Sequence, residues 1–177
     1  MIEFSLKPFK TENDYLIYGQ IARTFNQLWL TIELEGELDN IFLPPTKGAP
    51  VQADKLWEST CFELFMADEG NTHYFEFNIA PTGDWNIFEF LTYRQDPKTI
   101  KDVFSPSIDR QIISNHNIKY AIGIPLFNEV KFFKKIGISA VIKNLQGELS
   151  YFALTHPRDI PDFHDPRGFE IFLPHQS

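Results

Sequence analysis

The chain has 177 residues, 43% of them hydrophobic and 15% aromatic, with a formal net charge of −8. That length and apolar share suit one domain with a large core, and an acidic chain without a basic stripe argues against binding nucleic acid, which needs phosphates neutralised. No run approaches the roughly 20 apolar residues of a membrane helix, so no membrane partner is expected.

Helix signals are poor along the whole chain. No window of ordinary helix length shows clean i, i+3, i+4, i+7 spacing. β-Branched and aromatic runs bounded by Pro, Gly, Asn and Asp are frequent instead. Strands are expected near Glu3–Pro8, Tyr15–Ala22, Gln27–Leu34, Phe62–Ala67, His73–Ala80, Trp85–Tyr93, Lys119–Pro125, Ile136–Lys143, Tyr151–Thr155 and Phe169–Leu173. Leu43–Val51, Pro97–Pro106 and Leu126–Lys131 read as loops, the second with room for a short helical turn. So many short strands imply an all-β sandwich or barrel. Trp29, alternating within QLWLTIEL, is expected in the core, and Trp85 at a strand end. Lys131, Lys134 and Lys135 form the one local basic cluster and read as solvated.

The stretch from Leu56 to Arg94 is the most informative. It reads as a three-strand meander with Phe62, Leu64 and Met66 facing inward. A four-residue loop, Glu69-Gly70-Asn71-Thr72, sets Leu64 opposite Phe77 and Met66 opposite Phe75. A second four-residue loop, Pro81-Thr82-Gly83-Asp84, is expected to set Phe77 opposite Phe88 and Phe75 opposite Phe90. The other face then carries Glu63 opposite Asn78, Asn78 opposite Ile87, and Glu76 opposite Glu89. Like charges directly across a ladder destabilise, so Glu76 and Glu89 call for relief by a cation, a shared proton, a metal or water.

LWESTCFELFM, HYFEFNIAPTGDW, TYR and FALTHPRDIPDFHDPRGFEIFL, in this order, resemble the cytoplasmic DOMON-like proteins of bacteria, relatives of the family 9 carbohydrate-binding modules. The resemblance runs from about Leu34 to Leu173. It implies a two-sheet antiparallel β-sandwich with a ligand-sized concavity. Glu63, Glu76, Asn78 and Arg94 match family positions. The wider superfamily binds sugars or haem. Haem is not expected here: Met66 points inward and there is no CxxCH attachment motif.

The candidate ligand-binding residues are Trp57, Glu63, Glu76, Asn78, Glu89, Arg94, His156 and His164. Tryptophan faces stack on pyranose rings, although Trp57 could equally cap the core. Glutamate and asparagine can bind sugar hydroxyls in bidentate fashion, and arginine can bind a carboxylate or phosphate. The alternative is a buried polar network, with Arg94 pairing a glutamate. His156, Asp162 and His164, or Asp159, Asp162 and Asp165, could hold a cation, but their spacing fits no zinc or EF-hand pattern. Cys61 reads as a packed thiol, and a single cysteine fits a reducing, cytoplasmic compartment. The start, MIEFSLKPFK, shows no basic region followed by an apolar one, so no secretory signal is read.

These residues favour a non-catalytic domain for a small, sugar-like ligand. Two other readings compete. Glu76 and Glu89, about 5 Å apart across neighbouring strands, would suit retaining glycoside hydrolysis. Exposed edge strands would suit a protein-interaction domain or a homo-oligomer.

Overall fold

A computed structural model of the chain describes residues 1–10, 14–45, 48–70, 72–103 and 105–174. Asn71 of the first meander loop and parts of the expected 43–51 and 97–106 loops lie outside them. Twelve strands form: β1 (Ile2–Pro8), β2 (Tyr15–Arg23), β3 (Gln27–Gly36), β4 (Cys61–Ala67), β5 (Tyr74–Ile79), β6 (Trp85–Phe90), β7 (Lys98–Thr99), β8 (Ser107–Ser114), β9 (Asn117–Pro125), β10 (Lys135–Lys143), β11 (Leu149–Ala153) and β12 (Ile171–Phe172). The helical content of the described residues is three short 3₁₀ turns, at Leu38–Asn40, Leu56–Glu58 and Pro166–Gly168. Every strand expected from the sequence forms, with ends shifted by up to three residues. Two were not expected: β7, inside the expected 97–106 loop, and β8, whose polar, largely exposed residues show no buried face.

The expected pair of separate sheets is instead one continuous antiparallel sheet, ordered β7-β6-β5-β4-β10-β11-β1-β2-β3-β9-β8. A short pairing of β1 with β11, Lys7 to Ala153 and Pro8 to Phe152, joins its two halves. The sheet curls like a half-barrel, and the main core fills its inside. Leu28, Leu30, Ile32 and Leu34 of β3 point inward, as do Phe62, Leu64 and Met66 of β4 and Phe75 and Phe77 of β5. The halves meet there directly, with Phe62 and Tyr120 rings 4.8 Å apart. Because inward positions on β3 are even-numbered, Trp29 must point outward; it is 49% exposed and not the core residue expected. Trp85 is buried in the main core.

The meander is right in its first half and one residue out in its second. Leu64 pairs Phe77, Met66 pairs Phe75 and Glu63 pairs Asn78, as expected. Across the next hairpin Phe77 pairs Ile87, Phe75 pairs Glu89, Glu76 pairs Phe88 and Asn78 pairs Asn86. The cause is the turn. Ala80 and Asp84 close the hairpin, with Ala80 N–H donating to Asp84 O at 2.8 Å and Gly83 N–H to Ala80 O at 2.9 Å. The loop therefore has three residues, Pro81-Thr82-Gly83, with Gly83 at φ 92°. A turn followed by a left-handed glycine is the usual three-residue hairpin. The slip turns β6 over. Phe88 and Phe90 leave the main core, and Glu89 moves to the face of Phe75.

A second, smaller core forms on the outer face of β4, β5 and β6. It contains Phe65, Ala67, Tyr74, Phe88, Phe90 and Phe169, with Phe163 packed against it. The segment from Thr155 to Phe169 folds over this face. Phe169 stacks on Phe65 at 5.4 Å above Gly137, where a Cβ would meet the Phe169 ring at 2.5 Å.

Candidate functional site

The outer face of β10, β4, β5 and β6 carries a buried polar row. Ser139 pairs Glu63, Glu63 pairs Asn78, and Asn78 pairs Asn86. Glu76 stands one position along β5, flanked by Phe65 and Phe88. A cavity of about 450 Å³ opens over Glu63 and Glu76. Its walls are Trp57, Phe88, Phe90, Tyr151, Phe163 and His164, with Arg94 also lining it.

Glu63 and Glu76 are only 4% and 5% exposed. Glu63 Oε2 accepts from the Ser139 hydroxyl at 3.1 Å, and Glu76 Oε1 accepts from the Asn78 amide at 2.8 Å. The Asn78 carbonyl in turn accepts a weak bond from the Cys61 thiol at 3.7 Å, which orients the amide towards Glu76. Burial raises both carboxyls above the usual range, and for Glu63 the charge of Glu76 adds to the effect. Burial likewise pushes the Cys61 thiol up, in keeping with its packed, fully buried position.

Arg94 reaches the cavity from a strained backbone at φ 55°. Its Nε and Nη2 donate to Asp162 Oδ1 at 3.2 and 2.9 Å, so its ion pair is with an aspartate of the covering segment and not with a glutamate. Asp162 also accepts from the Tyr93 hydroxyl and pairs Arg158 at 3.1 Å. Asp165 is held by Arg158 at 2.7 Å and Arg167 at 2.6 Å. Asp162 therefore ties the segment to the chain just after β6 through Arg94 and Tyr93, while Asp165 braces it internally through Arg158 and Arg167.

His164 sits between both cores of chemistry. Arg94 N–H donates to the Tyr74 hydroxyl at 3.1 Å, and Tyr74 contacts His164 Nδ1 at 2.8 Å. Tyr74 and Nδ1 therefore share a hydrogen bond, and Nε2 lies 3.6 Å from Glu76 Oε2. Burial and the nearby Arg94 charge lower the His164 pKa to about 3, so the ring is neutral and this contact is a dipole and not an ion pair.

Trp57 rides on the Leu56–Glu58 turn, entered through Lys55 at φ 60°. It is 40% exposed and meets Phe88 edge-on at 5.9 Å, so it does not cap the main core. Asn86 anchors the approach to this turn: its amide donates to Ala53 O at 3.0 Å and Asp54 Oδ1 at 2.8 Å.

Of the sequence candidates, Trp57, Glu63, Glu76, Arg94 and His164 share the cavity, and Asn78 lies directly behind Glu76. Glu89 is on the opposite face, bonded to His73 at 3.1 Å and near Lys98 at 3.4 Å. It never faces Glu76, so the geometry of a glutamate pair across β5 and β6 is absent. His156 turns away from the cavity to the Lys7 carbonyl at 2.8 Å and packs against Phe9. Sequence reasoning missed Phe88, Phe90, Tyr151 and Phe163 as lining and Asn86 as a support. The glycine in the Pro81-Thr82-Gly83 turn was the signal that could have turned Phe88 and Phe90 outward.

No sequence-family profile and no curated protein matches the chain. Solved structures do. A candidate carbohydrate-binding protein from Bacteroides uniformis superposes with a TM-score of 0.73 at 14% identity, over 99% of this chain and 87% of that one. A family 9 carbohydrate-binding module from Caldicellulosiruptor kristjanssonii in complex with cellotriose superposes with a TM-score of 0.57 at 10% identity, over 99% and 84%. A family 9 module from the same organism in complex with glucose gives 0.52 at 12% identity, over 95% and 81%. At these identities the likeness establishes a shared fold. No helix among the described residues is long and apolar enough to cross a membrane.

Proposed function

We propose that the chain is a non-catalytic binding domain for a small sugar, held in the cavity over Glu63 and Glu76. The observation that supports this most is the combination of an aromatic wall with buried hydrogen-bonding groups at one end. Trp57, Phe88 and Tyr151 line the cavity with aromatic rings suited to the apolar side of a pyranose, while Glu63, Glu76 and the His164 imidazole supply polar groups for its hydroxyls. The volume of about 450 Å³ lies in the range of small-ligand sites and suits about one or two sugar rings. Neighbours of the same fold hold cellotriose and glucose, which makes sugars the first ligands to try.

Calorimetric titration with glucose and cellobiose tests the reading. Trp57→Ala is expected to weaken binding by roughly 30-fold, about 2 kcal/mol, with little loss of stability, and Glu63→Gln to weaken it as well. Unchanged affinity in both variants would place the sugar elsewhere.

A further inference from the structure

We propose that the preferred ligand is a sugar carrying a free ammonium group, seated over Glu63 and Glu76. This rests on the sugar-binding reading and narrows it. The charges around the cavity are unbalanced. Glu58, Glu63 and Glu76 line it against Arg94, and the Arg94 guanidinium is already engaged by Asp162. Glu63 is met by a hydroxyl and Glu76 by an amide. Among the described residues no lysine or arginine lies within ion-pair distance of either carboxyl, and the imidazole 3.6 Å from Glu76 is neutral.

Buried carboxylates are ordinarily paired with a cation, because desolvation is otherwise uncompensated. A neutral sugar supplies hydroxyl donors but no charge. An ammonium supplies both: up to three N–H donors and a positive charge in direct contact, where Arg94 acts on both carboxyls only from beyond ion-pair distance. The aromatic rings of Trp57 and Phe88 in the same lining suit a cation as well. N-acetylation would remove the charge and add bulk, so the acetylated sugar should lose the advantage.

Binding should also release a proton. An ammonium stabilises both carboxylates, whereas the empty site favours a proton on the pair. The groups that face the pair are the Cys61 thiol on β4, the Tyr74 hydroxyl on β5, Arg94 after β6, Glu58 on the Leu56–Glu58 turn, and His164 and Asp162 on the covering segment. Glu63 and Glu76 themselves are raised into the range around neutrality, to about 8 and about 7.

The test is calorimetry at about pH 6.5, where an α-amino-type group is charged, with glucosamine, N-acetylglucosamine, glucose and ethanolamine. Two buffers of different ionisation enthalpy count the protons. Glucosamine is expected to bind about tenfold tighter than glucose, N-acetylglucosamine no tighter than glucose, and a proton to be released. Glu63→Gln and Glu76→Gln should each lower that preference while melting no earlier than the parent. Equal affinity for glucosamine and glucose overturns the ammonium site and leaves the sugar reading standing. Ethanolamine binding as tightly as glucosamine overturns the sugar as carrier. No binding of any sugar overturns both.

Discussion

Burial raises the pKa of both Glu63 and Glu76, so the folded protein holds a proton that the unfolded chain releases. The sign of the stability change follows. The contribution of a group with a raised folded pKa is fully present below its unfolded value of 4.5 and is lost as pH rises through the folded value. Asp162 acts in the opposite sense. Burial alone would raise it, but the Tyr93 hydroxyl and Arg94 hold it below 3.8, so its contribution is lost only on strong acidification. His164 opposes the pair below its unfolded value of 6.5, because its folded pKa is lowered to about 3, so the glutamate pair sets the slope between about pH 6.5 and pH 8, and thermal stability should fall there as pH rises. Glu76→Gln keeps the shape and removes the charge. It should flatten that slope and stabilise the protein at pH 8 by about 1–2 kcal/mol, read as melting temperature against pH. A slope unchanged in the variant would show that the pair does not titrate in this range.

At the scale of elements, the site is a sheet face closed by one irregular segment. Asp162 is nearly buried and collects Tyr93 and Arg94 from just after β6 and Arg158 from its own segment. Asp162→Ala should cost about 2–4 kcal/mol. It should also loosen residues 156–167 before the strands of the main core. Amide hydrogen exchange checks this: protection is expected to drop in that segment and hold in β2, β3 and β9. The strands themselves were legible, because period-2 alternation and turn residues survive in one sequence. β6 shows where this ends. Its residues Trp85-Asn86-Ile87-Phe88-Glu89-Phe90 offer an apolar set in either parity, so the hydrophobic pattern could not choose. The left-handed glycine of the preceding turn chose instead. β8 was illegible for another reason: an exposed edge strand such as SIDRQIIS buries too little to leave a pattern. The alternative reading paired Arg94 with a glutamate; it pairs instead with Asp162, 68 residues along, a contact set by the covering segment's path.

For the whole molecule, curling one sheet leaves two apolar faces to fill. The inner one becomes the main core. The outer face of β4, β5 and β6 is only partly covered by the Thr155–Phe169 segment, and the uncovered part is the cavity. Five of the eight sequence candidates converge there, four from the Leu56–Arg94 stretch and His164 from the covering segment, whose path no local pattern announces. The all-β, carbohydrate-binding-module-like fold implied by the resemblance is shared by the solved neighbours, while the two-sheet sandwich it implied is replaced by one curled sheet. The most direct test is amide chemical-shift mapping of the isotopically labelled protein during titration with glucose and glucosamine. The account predicts saturable shifts clustered at Trp57, Phe88, Arg94 and His164, with His156 and Glu89 unmoved. Shifts clustered on β2, β3 and β8 instead, or none at saturating sugar, would contradict it.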